Sequence, residues 1–206
     1  KAWVEAYDAK NPSTSITVQA KPKYGPPPAI TLEPHYKIRE LTQRDKDVQT
    51  LIHDAAVKLY NEGNYIAARS GWMPYAEAGL AEFQLIVGKS YLREENYDLA
   101  RLWFTRAASV PVKGLNYFEI GEAQGSVGAM YVEGLGVDVD LPHAAGWFTL
   151  ATNHRIEDKY ASRLLGLMYK DGEGVPQSNQ KAIKHLSDVR DDPVLWVEIA
   201  ILKDVG

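Results

Sequence analysis

The most constraining feature of this 206-residue sequence is a segment that returns, with many of its residues, 38 positions later. The first copy lies within residues 123–150. The identical residues are Gly128 and Gly166, Met130 and Met168, Tyr131 and Tyr169, Gly134 and Gly172, Gly136 and Gly174, Val137 and Val175, and Ala144 and Ala182. A fixed period of this size is typical of stacked supersecondary units that bury their apolar faces against one another. The sequence therefore predicts an array of repeated units.

The overall composition excludes several classes of protein. With 45% hydrophobic and 24% charged residues, the chain can bury a sizeable core as one domain or one short array. Its formal net charge of -4 argues against a nucleic-acid partner, because nucleic-acid binding requires a basic surface. No apolar run approaches the ~20 residues that a transmembrane helix needs. The absence of cysteine excludes disulfides, thiolate metal sites and cysteine catalysis.

Residues 1–42 are predicted to form a largely irregular, Pro-rich N-terminal extension. Its prolines are Pro12, Pro22, Pro26, Pro27, Pro28 and Pro34. This density prevents a long helix and favours extended polyproline geometry. One interpretation is a loose tether. The other is a docking arm in which Trp3, Tyr7 and Tyr24 bind a partner or the surface of the array itself.

From residue 43 onward the apolar residues recur at helical spacing. The predicted repeat units span about residues 45–80, 81–114, 121–157 and 158–190, and a capping helix spans 192–204. Pro74 is expected to end or kink its helix near Met73, because proline lacks a backbone donor. The aromatic residues of the 109–122 insertion are expected to fold onto a neighbouring unit, with an exposed partner-binding patch as the other interpretation.

The loops of the two similar units contain residues that suit tight turns between helices. Four glycines are placed to adopt left-handed or tightly folded backbone: Gly134, Gly136, Gly172 and Gly174. Asp140 and Ser178 occupy equivalent positions and are expected to cap the second helix of each unit. Pro142 then falls in the first turn, where its missing N–H group costs nothing.

The sequence resembles two related repeat families. Residues 81–114 match the tetratricopeptide pattern at Gly88, Tyr91, Tyr97, Ala100, Phe104 and Ala107, with Glu95 in place of the turn glycine. The two later units resemble the Sel1-like repeat (SLR), which has a longer loop between its helices. The resemblance implies an all-α fold, a right-handed α-solenoid of antiparallel helix pairs, here with an extended Pro-rich N-terminal arm.

No pattern in the sequence indicates catalysis, a cofactor or a metal. The histidines form no HExxH motif, and capping explains Asp140 in the Asp138, Asp140 and His143 cluster. The glycine pairs around Leu135 and Glu173 lack the third glycine of a dinucleotide fingerprint and follow helices rather than strands. The sequence therefore predicts a protein that is not an enzyme.

The resemblance also implies a binding groove lined by the first helix of each pair. The groove residues that it indicates are Tyr60, Lys89, Leu92, Arg93, Arg163 and Lys170, together with neighbours such as His53 and Leu85. These apolar, aromatic and cationic side chains suit an extended or helical peptide of acidic character. The other interpretation is that the charges only keep the surface soluble. The aromatic residues Trp72, Trp103, Phe104, Trp147 and Phe148 have core spacing.

The function implied by the resemblance is that of a protein–protein interaction scaffold or an assembly subunit. Similar proteins work in bacterial cell-envelope complexes for secretion, polysaccharide export or the flagellar motor. The periplasm or cell envelope is the expected location, with the cytoplasm as the alternative, and a membrane-associated assembly is a possible setting. The alternative function is an enzyme-regulating or saccharide-binding module.

Overall fold

The computed structural model describes residues 17–18, 30–31, 43–110, 117–153, 159–187, 199 and 202. In this part of the chain the helices are α1 (Gln43–Asn61), α2 (Tyr65–Glu77), α3 (Ala81–Arg93), α4 (Tyr97–Ala108), α5 (Tyr117–Glu133), α6 (Leu141–Thr152), α7 (Lys159–Asp171) and α8 (Asn179–Ser187). Contacts divide the chain into two compact units, residues 1–15 with 32–120 and residues 16–31 with 121–206. The predicted all-α fold of packed helix pairs is confirmed.

The N-terminal extension contributes two short strands, β1 (Thr17–Val18) and β2 (Ile30–Thr31), which pair in antiparallel orientation. Strand β2 contacts helix α6 within the second unit. The docking-arm residues Trp3, Tyr7 and Tyr24 lie outside the described residues, so their proposed role stays a prediction.

In the first unit, two similar turns reverse the chain between paired helices. Gly63 ends α1 with a φ of 81°, and Glu95 stands at the equivalent place after α3 with a φ of 57°. Asn64 and Asn96 then cap the next helices, each accepting a backbone N–H three residues later at 3.3 Å. The turn geometry is therefore kept although the glycine is replaced by glutamate in the second pair.

Helix α2 continues through Pro74 to Glu77, so the helix does not end near Met73. Proline removes the hydrogen bond to the carbonyl of Ser70, but Ser70 is exposed and water can satisfy that group. Packing of the buried Trp72 on the same helix offsets the lost bond.

Helix α1 carries apolar residues on its exposed side as well as on the side that it buries. Ala56 is buried and Ile52 and Leu59 are half-buried, as their helical spacing predicts. Leu51, however, is 72% exposed and Val48 is 46% exposed. The apolar spacing therefore overestimated how much of α1 faces the core.

In the second unit, the predicted loop chemistry is confirmed. The glycines have positive φ values of 70° at Gly134, 68° at Gly136, 72° at Gly172 and 71° at Gly174. The Asp140 carboxylate accepts the backbone N–H of His143 at 3.0 Å and caps α6. The Ser178 hydroxyl accepts the backbone N–H of Lys181 at 3.4 Å and caps α8.

A helical glycine lies against a large side chain of the partner helix in three of the pairs. A Cβ atom added to Gly88 would lie 2.6 Å from the ring of Phe104. The corresponding distances are 2.6 Å from Gly128 to the Phe148 ring and 2.7 Å from Gly166 to Leu186. The indole rings of Trp72, Trp103 and Trp147 and the rings of Phe104 and Phe148 are buried, which confirms that these aromatics are packing residues.

The insertion and the C-terminal end are described in part. Val110 and Ile120 are buried together with Ala81, whereas Phe118 is 56% exposed. The expectation that the insertion folds its aromatics away is therefore wrong for Phe118. Of the predicted capping helix, Ile199 and Leu202 are described; both are helical, and Leu202 is buried in the core of the second unit.

Replacing Gly174 with alanine should destabilise the protein strongly. The added Cβ would lie 2.5 Å from the carbonyl carbon of Leu141, and φ is positive. We expect a loss of about 2 to 5 kcal/mol, measured by chemical denaturation. Gly63→Ala is the matched control, because φ is also positive there but no atom lies within 4 Å. It should lose about 1 kcal/mol, and equal losses would contradict the backbone clash.

Replacing Glu95 with glycine should stabilise the protein. Glu95 adopts a left-handed conformation that is sterically unfavourable for a residue with a Cβ atom. Glycine removes this strain, although it also adds conformational entropy to the unfolded chain. We expect a gain of about 0.5 to 1 kcal/mol in the free energy of unfolding. Glu95→Gln, which keeps the strained conformation and removes the charge, should leave stability unchanged; an equal gain in both variants would assign the effect to charge.

Candidate protein-interaction surface

The structure places the predicted groove residues on the first helices of their pairs. Tyr60 lies near the end of α1, Lys89, Leu92 and Arg93 lie on α3, and Arg163 and Lys170 lie on α7. The first four belong to the first unit and the last two to the second. The predicted residues therefore form two sets, each described within its own unit.

In the first unit, Tyr60 and Arg93 are brought into direct contact. The Nε–H group of Arg93 donates a hydrogen bond to the Tyr60 hydroxyl at 3.3 Å. The Tyr60 ring packs edge-on against Tyr65, with centroids 5.1 Å apart, and lies 5.8 Å from Trp72. Because Trp72 is fully buried, one side of the phenol is anchored to the core.

The exposed Arg93 guanidinium is electrostatically stabilised by these phenols. Its hydrogen bond to Tyr60, followed by electrostatic attraction to Tyr60 and Tyr65, raises the pKa of Arg93. The guanidinium is therefore a permanent positive charge at the surface.

A second arginine, Arg69 on α2, is buried beneath this surface. Its guanidinium forms an ion pair with Glu94 at 2.6 Å and donates to the Ser90 hydroxyl at 3.4 Å. It also lies 4.1 Å from the centroid of the Tyr91 ring. Arg69 therefore joins α2 to the end of α3 and holds the carboxylate that follows Arg93 in the sequence.

The remaining predicted residues of the first unit are less accessible. Lys89 and Leu92 are half-buried, and Leu85 is buried, so Leu85 is a core residue and not part of a groove. The half-buried His53 ring packs 6.2 Å from Trp72 and 5.7 Å from Phe83.

In the second unit, α7 presents a comparable mixture of side chains. Tyr160 is 51% exposed, Arg163 is exposed, and Leu167 is half-buried. The ammonium of Lys170 lies 3.8 Å from the Asp171 carboxylate. This surface combines an aromatic, an apolar and two cationic residues along one helix.

In the other three pairs, too, a tyrosine near the end of the first helix contacts a basic side chain. Arg69 lies over Tyr91, and the His143 ring stacks on Tyr131 with centroids 5.4 Å apart. Tyr169 stacks on His185 at 5.9 Å and has the ammonium of Lys181 4.8 Å from its ring.

A metal site would need several ligand side chains close together in the described part of the chain. Within it, no group of three or more histidine, aspartate or glutamate side chains is placed to hold a metal ion. The Asp140 carboxylate contacts the His143 ring at 2.6 Å, but it also accepts the backbone N–H that caps α6. None of the helices described there combines the length and apolar character that crossing a membrane requires.

Sequence reasoning missed Tyr65, Arg69 and Glu94. Tyr65 follows a helix-capping asparagine, and Arg69 is flanked by small residues of α2 that do not indicate a site. Glu94 lies just beyond the end of α3, next to the residue that replaces the turn glycine. No local sequence signal links these residues to Tyr60 or Arg93, because the contacts depend on how α1, α2 and α3 pack.

The packed helix pairs define a class, that of helical-repeat proteins. The Sel1 repeat family model matches residues 74–109, 121–154 and 159–187. The chain therefore carries three Sel1 repeats, which confirms the resemblance seen in the sequence.

Solved structures have the same fold. A Sel1 repeat protein from Oxalobacter formigenes is 23% identical with a TM-score of 0.60, and the match covers 78% of this chain and 66% of that one. A protective antigen of uropathogenic Escherichia coli with an SLR fold is 25% identical with a TM-score of 0.61, covering 78% of this chain and 35% of that one. This chain therefore spans less than two thirds of either protein. Comparison with curated proteins finds no match.

Alkaline pH should destabilise the first unit partly through Tyr91. Burial raises the pKa of Tyr91 above its ordinary value of 10.0, with Glu94 acting in the same direction and Arg69 opposing them. Its stabilising contribution is therefore complete below pH 10 and is lost as the pH rises through the folded-state pKa. In denaturation measured from neutral pH to above 10, Tyr91→Phe should lose less stability than the wild type. A parallel decline of both proteins would contradict the shift.

Proposed function

We propose that this protein is a non-catalytic scaffold that binds other proteins through the first helices of its repeats. Sel1 repeat proteins are generally protein-interaction scaffolds. The finer proposal is an assembly subunit of a larger bacterial cell-envelope complex, such as secretion, export or flagellar-motor machinery, located in the periplasm or cell envelope. This setting is supported only by the family resemblance.

The observation that carries the proposal is the division between buried and exposed side chains. The tryptophans of the repeats are buried and fill the spaces between helices. The first helices, in contrast, present Arg93 on α3 and Tyr160 with Arg163 on α7. Mixed aromatic and cationic surfaces of this kind suit protein partners, since arginine and tyrosine are enriched where interfaces concentrate their binding energy.

The alternative of a saccharide-binding module has less support. Such a module needs aromatic rings exposed on one face, whereas Trp72, Trp103 and Trp147 are buried. Among the described residues, the large exposed aromatics are Phe118 and Tyr160, one in each unit. These three indoles are packing residues and are not available to stack on a sugar.

Affinity purification with crosslinking mass spectrometry from the source cells tests the proposal. Crosslinks from the full chain should map to α3 and α7. The double variant Arg163→Gln with Lys170→Gln should recover less partner, because it removes the two cations of the proposed α7 surface. Lys184→Gln is the control, since Lys184 is an exposed cation on α8 outside the proposed surface. A monomeric protein that recovers no partner would contradict the scaffold.

The arm is tested in the same experiment with the full chain carrying Trp3→Ala, Tyr7→Ala and Tyr24→Ala. If the arm docks on a partner, these variants should recover less of it with the fold intact by circular dichroism. Unchanged recovery of every partner would show that the arm does not contribute to binding.

A further inference from the structure

Arg93 differs from the other arginine of its neighbourhood in having no carboxylate partner among the described residues. Its described contact is the hydrogen bond from Nε to the Tyr60 hydroxyl. Arg69 instead forms an ion pair with Glu94, the acidic residue that follows Arg93 directly. The guanidinium nitrogen and the carboxylate oxygen are 2.6 Å apart. The nearest carboxylate in the sequence is thus neutralised by a buried arginine, and the charge of the exposed arginine is left uncompensated.

Beyond their mutual hydrogen bond, Arg93 and Tyr60 offer a ligand mainly hydrogen-bond donors. An arginine carries donors and no acceptor, and here Nε is already used. The two terminal nitrogens of Arg93 remain for a ligand. Because the Tyr60 oxygen accepts from Arg93, the Tyr60 O–H group is oriented to donate elsewhere. Several donors beside a positive charge match the two oxygens of a carboxylate.

The phenol is held in place before any ligand arrives. Tyr60 packs against Tyr65 at 5.1 Å and against the buried Trp72 at 5.8 Å. The end of α3 is fixed independently, because the Arg69–Glu94 ion pair joins it to α2. The phenol and the backbone that carries Arg93 therefore lose little conformational freedom on binding, which favours affinity.

We infer that Arg93 and Tyr60 form a carboxylate-binding site for an aspartate or glutamate side chain of an extended partner segment lying along α3. A single exposed ion pair contributes little to the free energy of binding by itself. The half-buried Leu92 and the Lys89 side chain, one helical turn before Arg93, supply further contacts for a segment but not for an isolated small anion. The inference rests on the proposed scaffold function and specifies its partner.

The test starts from a random dodecapeptide display library selected against the full chain. The enriched peptides are synthesised with amidated C-termini, so that their carboxylates belong to side chains. We expect enrichment in Asp or Glu and a dissociation constant that rises about tenfold for Arg93→Gln and severalfold for Tyr60→Phe. The double variant should lose less than the product of the two effects, because the residues act as one site.

Lys184→Gln is the matched control and should change the dissociation constant by less than about twofold, because Lys184 is an exposed, salt-screened charge on α8 that is not part of the site. Equal losses in Lys184→Gln and Arg93→Gln would overturn the inference, as would selected peptides without acidic residues, or no selected peptide at all. Binding that requires a free C-terminus would assign the site to a chain terminus instead. If the site fails while crosslinked partners are still recovered, the scaffold function stands and only this partner chemistry is wrong.

Discussion

The contact on which the repeats depend is that of a helical glycine with a large side chain of the paired helix. Gly88 faces Phe104 and Gly128 faces Phe148, at distances that leave no room for a methyl group. The missing Cβ lets the two helices approach until the aromatic ring fills the space between them. These aromatics are then unavailable for binding, because their rings are already enclosed.

The burial of these aromatic rings in the core has a consequence for the proposed function. With the rings of Trp72, Trp103, Trp147, Phe104 and Phe148 committed to the core, the binding that we propose is left to side chains that project from the first helices. In the first unit these are organised by two arginines with opposite roles, the buried Arg69 and the exposed Arg93. Arg69 stabilises the end of α3 through Glu94, and that fixed end presents Arg93 beside Tyr60. The folded structure and the proposed recognition thus use the same residue type at different depths.

Much of the fold was readable because its requirements are local. Gly134 and Gly172 end helices in the left-handed conformation, and Asp140 accepts the N–H group that a helix start leaves unpaired. The 38-residue period repeats such local solutions. Even the exception, Glu95, was visible as a glutamate in place of the turn glycine, and its positive φ shows that the turn imposes the conformation on the residue.

Contacts between distant residues were decided only by the folded chain. Leu85 was predicted to line a groove and is buried, and α2 continues past Pro74 because packing of Trp72 outweighs one lost hydrogen bond. The Tyr60–Arg93 pair, 33 residues apart, has no local signal. Helix ends and turns follow from backbone chemistry within a few residues, whereas the partners of a side chain follow from the angles and depths at which whole helices pack.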